Sequence, residues 1–162
     1  MEIRLYQDKD MPFLTHMLYE AVYWRSIAQG TNPPIDEGVS VPSVWQALEN
    51  WGARAGDTAV IALKDSARAG AAWFRYYTAS RSIRGYIDDS TLVVVLAVHR
   101  DYRRLGIGLQ LVEQLIEVAR VEGIQRLSLM VSNDNHALGL YQKCGFELLD
   151  EVDSSSLMVL QL

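Results

Sequence analysis

One stretch, Leu92 to Gly108 (LVVVLAVHRDYRRLGIG), constrains this chain more than any other. Its first part, Leu92–Val98, is apolar at seven consecutive positions. Such a run describes a strand buried on both faces, and therefore central in its sheet. A short charged turn follows, and Gly106 and Gly108 then open a helix. Where a buried strand hands over to a helix N-terminus, the first-turn amides lack intrahelical partners and the positive end of the helix dipole gathers. That junction is a ready-made anion site. Gly106 and Gly108 carry no Cβ, so a ligand can approach their backbone closely. Arg100, Arg103 and Arg104 add fixed positive charge around the turn.

The other elements group around this strand as one domain, residues 1–162. Glu2–Tyr6 alternates and reads as a first strand. Asp10 is an N-cap candidate for a helix carrying Phe13, Leu14, Met17, Leu18, Val22 and Ile27 at helical spacing and ending near Gly30. Thr31–Pro42, with three prolines and Gly38, reads as a loop. Ser43 is placed to cap a second helix, Val44–Trp51. Thr58–Leu63 and Arg68–Thr78 pair as a hairpin about Lys64-Asp65-Ser66. Ser80–Ser90 is polar and leads into the central strand. A third helix runs from about Leu105 to Glu122, its stripe expected to be Leu105, Leu109, Val112, Ile116 and Ala119. Arg126–Ser132 is a strand and Ala137–Lys143 a helix, and Phe146–Glu151 and Ser156–Leu162 are closing strands. This order describes an α/β (α+β) domain: a single mixed, largely antiparallel central sheet of six or seven strands flanked by about four helices.

Charge narrows the ligand. With 20 acidic residues against 15 basic ones, the net charge is −5, which argues against a general nucleic-acid surface. The arginines near position 103 are then a local patch suited to one small anion. Cys144 is the single cysteine, so there is no internal disulfide and no metal-ligand cluster. No leader peptide is visible after Met1 and no apolar run approaches the ~20 residues of a membrane span. These features set the expectation of a cytoplasmic protein acting without metal, nucleic acid or membrane, as a monomer or homodimer. Two phosphate motifs fail. A Walker A loop needs Lys-Ser/Thr after its second glycine, where this chain has Leu109-Gln110. A dinucleotide fingerprint needs a third glycine where Leu111 stands, and a turn after the first strand rather than here.

Arg103-Arg104-Leu105-Gly106-Ile107-Gly108 resembles the R/Q-x-x-G-x-G/A signature of the GNAT family of N-acetyltransferases. Asn135-His136-Ala137-Leu138-Gly139-Leu140-Tyr141-Gln142-Lys143-Cys144-Gly145-Phe146 is similar to the family's N-x-A-x-x-L-Y-x-x-x-G-F stretch. The two stand in the family's order, separated by a helix and a strand. The resemblance is strong over about Leu92 to Phe146; the first ninety residues match only in the order of elements.

It implies the acyl-CoA N-acyltransferase fold, with acetyl-CoA (coenzyme A) as acyl donor and a primary amine, small molecule or peptide, as acceptor, attacked in a ternary complex. A non-catalytic acyl-CoA-binding or sensor domain of the same fold is the alternative. The amides of Arg103, Arg104, Leu105, Gly106, Ile107 and Gly108 would hold the CoA diphosphate. Backbone groups from Leu96 to Val98 would pair with the pantetheine arm as a pseudo-strand. Asn135 would bond that arm, or is simply the cap of its own helix. Tyr141 matches the tyrosine that protonates the leaving thiolate; its competing role is packing. Glu20, Asp88 and Asp89 are carboxylates available by position, with no base assigned. His99 reads as structural, and His136 with Cys144 as unrelated to a Cys-His mechanism. The acceptor end falls to Tyr19–Trp51 and the segment before the central strand. There Tyr19, Tyr23, Trp24, Trp45 and Trp51 either cradle a cationic amine or form core beneath a helical cover.

Overall fold

The computed structural model describes residues 1–162 as a seven-stranded sheet with helices on both faces. The strands are β1 (Glu2–Leu5), β2 (Thr58–Lys64), β3 (Ala67–Arg75), β4 (Leu92–Val98), β5 (Arg126–Ser132), β6 (Glu147–Val152) and β7 (Ser155–Gln161). The helices are α1 (Met11–Val22), α2 (Trp24–Gln29), α3 (Ile35–Ser40), α4 (Pro42–Trp45), α5 (Ile107–Val121) and α6 (Ala137–Lys143). Strand order is β1-β2-β3-β4-β5-β7-β6, which places the apolar run at the centre. All pairs are antiparallel except β4–β5. No helix is long and apolar enough to cross a membrane.

Alternation along β2, β3 and β4 sends side chains to two cores. Val60, Ala62, Ala72, Phe74, Leu92 and Val94 join Leu111, Val112, Leu115 and Ile116 of α5 on one face. On the other, Ala59, Ile61, Ala71, Trp73 and Ala97 join Leu14, Met17 and Leu18 of α1. Cover on both faces is why these strands read as near-continuous apolar runs. The β2–β3 hairpin turns at Asp65 and Ser66, both at positive φ (50° and 66°), the mirror-image turn that matches strand twist.

The N-terminal helices depart most from the sequence reading. The helix expected to reach Gly30 is interrupted at Tyr23 (φ −102°, ψ 18°), although neither glycine nor proline marks the spot. Tertiary bonds fix the break: the Tyr23 hydroxyl donates to Gly38 O at 2.8 Å and the Tyr19 hydroxyl to Pro33 O at 2.6 Å. Thr31–Pro42 is not all loop, because Ile35–Ser40 forms α3. The following helix is α4, begun by Pro42 at its first turn rather than capped by Ser43, and residues 46–51 continue as turns. Asp10 makes no side-chain cap to α1. Instead its buried carboxylate accepts from Arg4 (2.7 and 3.0 Å), Arg68 (2.7 Å) and the Gln7 amide (2.8 Å). The buried face of α5 is wider than the expected stripe: Val112, Ile116 and Ala119 are buried as expected and Ile107, Leu111 and Leu115 join them, while Leu105 is 54% exposed and outside the helix.

Candidate active site

Strands β4 and β5 part company almost at once. Their parallel pairing covers only Leu92↔Leu127 and Val93↔Ser128, whereas β4 stays paired with β3 from Val93 to Val98. The His99 amide donates to Ala69 O across the β3 side at 2.8 Å. Strand alternation therefore turns the N–H and C=O of Leu96 and Val98 toward the opening. Burial follows the same boundary: complete through Val94, but partial at Val95, Leu96 and Val98. The strand expected to be buried throughout is thus buried from Leu92 to Val94 and at Ala97, and only partly at Val95, Leu96 and Val98.

A loop seals the paired end of this cleft. Gly85 (φ +103°) lies so close to β5 that a Cβ there would stand 3.0 Å from the Met130 amide and 2.9 Å from Val93 Cγ1. Ser128 donates to Gly85 O at 2.7 Å, and Arg84 reaches Ser155 at 2.9 Å. At the open end stands the turn. No backbone amide from Arg103 through Leu109 has an acceptor within the chain; the first that does is Gln110, to Gly106 O at 3.3 Å. The turn holds Arg104 at φ 63° and Gly106 at φ 77°, the left-handed region. A Cβ on Gly106 would meet only the Gln110 side chain, at 4.0 Å, so the space above this backbone is open. Gly108 is small for another reason: a Cβ there would stand 3.0 Å from Leu140, 3.6 Å from Val98 and 3.7 Å from Leu96. That contact brings α6 against the turn and the strand edge.

The predicted residues divide accordingly. Leu96, Val98 and the Arg103–Gly108 backbone converge on the cleft, with the Leu105 side chain exposed and the Ile107 side chain in the core. Tyr141 lies on α6, 6% exposed, with its ring edge-on to Phe146 at 5.8 Å. Burial pushes the Tyr141 phenol well above its ordinary pKa, so it stays protonated. The carbonyl oxygen of Asn135 accepts from the Ala137 amide at 2.9 Å, the cap alternative, and its side-chain NH2 has no protein partner. Arg104 makes no ion pair, but Arg103 does: it donates to Glu20 Oε2 at 3.1 Å and to Val98 O at 3.2 Å.

Among the carboxylates, Asp88 is occupied by Thr91 (2.8 Å), Ser90 and Arg126, and the Thr91 hydroxyl foremost holds it below the usual range. Asp89 accepts from the Tyr86 hydroxyl. Glu20 is buried and takes Arg100 at 3.1 Å on its other oxygen. His99 accepts the Asp101 amide at 3.3 Å and stacks on His16 at 5.7 Å. His16, Glu20 and His99 also bring three donor atoms within 4.8 Å of one another, a grouping not foreseen from sequence. Equally unforeseen is the bidentate Arg25–Asp134 pair (2.7 and 2.9 Å), which joins α2 to the turn after β5. These partners lie about 80 to 110 positions apart in the chain, beyond any local pattern.

The acetyltransferase (GNAT) family pattern matches residues 21–146, most of the chain. This chain belongs to the GNAT family. Among its relatives, acetyltransferase SG1711 of Sodalis glossinidius is 35% identical over 69 residues, 42% of this chain and 49% of that protein. The chain spans about half or less of the length of the curated relatives it matches. Two solved GNAT folds superpose along its whole length. PaiA N-acetyltransferase from Thermoplasma acidophilum, in complex with coenzyme A, does so at TM-score 0.68 and 18% identity, covering 100% of both chains. Phosphinothricin acetyltransferase from Sinorhizobium meliloti, in complex with acetyl-CoA, does so at TM-score 0.68 and 16% identity, covering 99% of this chain and 88% of that one. They establish the GNAT fold here.

Proposed function

We propose that this chain is an acetyl-CoA-dependent N-acetyltransferase that passes the acetyl group directly to a primary amine in a ternary complex. One observation carries the reading: the run of unpaired amides from Arg103 to Leu109 beside the unpaired edge of β4. A diphosphate satisfies the first and an amide-bearing arm the second. The open space over Gly106 fits such a ligand, since nothing in the chain fills it. Coenzyme A carries both groups, and the complexes of the Thermoplasma acidophilum and Sinorhizobium meliloti proteins support its assignment here.

When bound, acetyl-CoA supplies a thioester whose carbonyl carbon is open to attack by an unprotonated amine. The residues of this chain then have separate tasks. Turn amides and Arg104 hold the diphosphate, the latter by charge-assisted hydrogen bonds. Leu96 and Val98 backbone groups would align the arm, and a β4 N–H would polarise the acyl carbonyl. The free NH2 of Asn135 holds the arm from the side of α6. Tyr141, kept protonated by burial, would donate its proton to the departing thiolate, and the surplus proton on the acylated nitrogen would leave to solvent, from which Tyr141 is reprotonated. The test is a panel of amines and peptides incubated with acetyl-CoA, with release of free thiol as readout. Turnover on any member supports the reading; binding of CoA with no turnover across the panel points to a sensor domain.

A further inference from the structure

We infer that Glu20 is a positioning residue for the cofactor turn, the fixed point on α1 from which Arg103 is held across the mouth of the β4–β5 cleft. The inference rests on the reading that the Arg103–Leu109 turn takes the CoA diphosphate. Glu20 is 1% exposed, and its two oxygens are divided between Arg100, just before the turn, and Arg103, its first residue, with His16 Nε2 also 3.4 Å from Oε1. Oε1 accepts from Arg100 Nε (3.3 Å) and Nη2 (3.1 Å), and Oε2 accepts from Arg103 Nη2 (3.1 Å). A buried carboxylate is stable only when its charge is matched and its oxygens are hydrogen-bonded. The two guanidinium groups do this, so Glu20 ties α1 to the segment between β4 and α5.

Arg103 makes the tie consequential. Its guanidinium is a rigid plane, so holding Nη2 on Glu20 leaves Nε only a swing about that one contact. It points to Val98 O at 3.2 Å, the last carbonyl on the open edge of β4. A ligand amide running along that edge requires the same carbonyl. Arg103 would then give up Val98 while keeping Glu20, and its freed Nε–H would be available to an anion on the turn that Arg103 itself begins. Glu20 is therefore the pivot of an exchange in which the arm replaces Nε on Val98 and Arg103 turns to the anion.

Two other roles fit the contacts less well. As a proton acceptor Glu20 would have to release an arginine. As a metal ligand with His16 and His99 it would bring a cation against two guanidinium groups.

The experiment compares Glu20→Gln, Arg103→Gln and the double variant for CoA dissociation constant by calorimetry and for steady-state kinetics. Each single change is expected to raise the CoA Kd and KM about tenfold, the size of one lost charge-assisted hydrogen bond, with the larger part of the loss in KM rather than kcat. Because both act through one contact, the double variant should be little worse than either single one. Additive losses, a Glu20→Gln Kd within about twofold of wild type, or a loss confined to kcat would each overturn the inference. Should Glu20→Gln fail to fold, Arg103→Lys decides, since the Arg103 side chain is 45% exposed. Lysine keeps the charge but not the two-point plane, so wild-type CoA affinity in that variant overturns the inference and a raised Kd supports it. Wild-type protein that does not bind CoA overturns the proposed function itself.

Discussion

Asp57→Asn tests the frame that holds the residues after α4 on the sheet. The Asp57 carboxylate and the Arg75 guanidinium are 1% and 0% exposed. Asp57 Oδ1 accepts from Arg75 Nε at 2.9 Å and Oδ2 from Nη2 at 2.7 Å. Arg75 Nη1 donates to Gln46 O (3.1 Å) and Glu49 O (2.9 Å), so the pair clamps the residues after α4 onto β3. Asparagine keeps the shape but removes the charge, and its NH2 faces a donor. Arg75 is left buried without a counter-ion, which costs about 3–5 kcal/mol. For a domain this size each kcal/mol moves the melting temperature by roughly 2–4 °C, so a drop on the order of 10 °C is expected. The assay is urea unfolding by circular dichroism, with a thermal scan alongside. Replacing both residues by apolar ones of similar volume should recover much of the loss. A loss below about 1 kcal/mol for Asp57→Asn would refute the reasoning, because that is the range of an exposed pair.

Four further outcomes follow from the same geometry. Tyr141→Phe keeps the ring against Phe146 but removes the hydroxyl proposed as proton donor; kcat should fall by about 10²-fold or more with CoA affinity nearly unchanged, and equal losses in both would remove the acid role. Gly106→Val forces a β-branched residue to φ +77° above the free amides, so CoA affinity measured by calorimetry should fall by more than about tenfold while the fold persists. Gly85→Ala places a Cβ against the β5 backbone at a positive φ and should lower stability by about 2 kcal/mol or more in urea melts. Asp10 is held below the ordinary carboxylate range chiefly by the Arg4 hydrogen bond, with Arg68 and the Gln7 amide adding to it. Its folded pKa is depressed, so its contribution is present above pH ~4 and fades as pH falls below that; the acid limb of stability should be shallower in Asp10→Asn, measured by urea melts between pH ~3 and ~5.

The parts of the chain that could be read from sequence are those whose causes are local. The apolar run of β4 declares its central place. The glycine after the charged turn declares the left-handed residue, and Asn135 through Gly145 declares α6 with its stop. The break at Tyr23 has no local cause, since hydroxyl bonds to Pro33 and Gly38 decide it. Helix α3 lies hidden among prolines because tertiary packing, not propensity, holds six residues in that form. Asp10 carries a cap residue's identity but spends its oxygens on Arg4 and Arg68, the latter 58 positions away. In the site, the backbone contributions were legible because a turn motif is contiguous. The Arg103 side chain was not: its partner, Glu20, lies 83 positions earlier on the opposite helical layer. The half-burial of Leu96 and Val98 likewise depends on where β5 diverges, a property of packing rather than of β4 itself.

The central claim is that the unpaired amides of the turn and the open edge of β4 form one binding surface for coenzyme A. Two-dimensional amide NMR during a CoA titration tests it most directly. The account predicts saturable shifts concentrated on Arg103–Leu109, Leu96 and Val98, with the Asn135 side-chain NH2 among them. No saturation at millimolar CoA, or shifts centred elsewhere while these amides stay still, would contradict it.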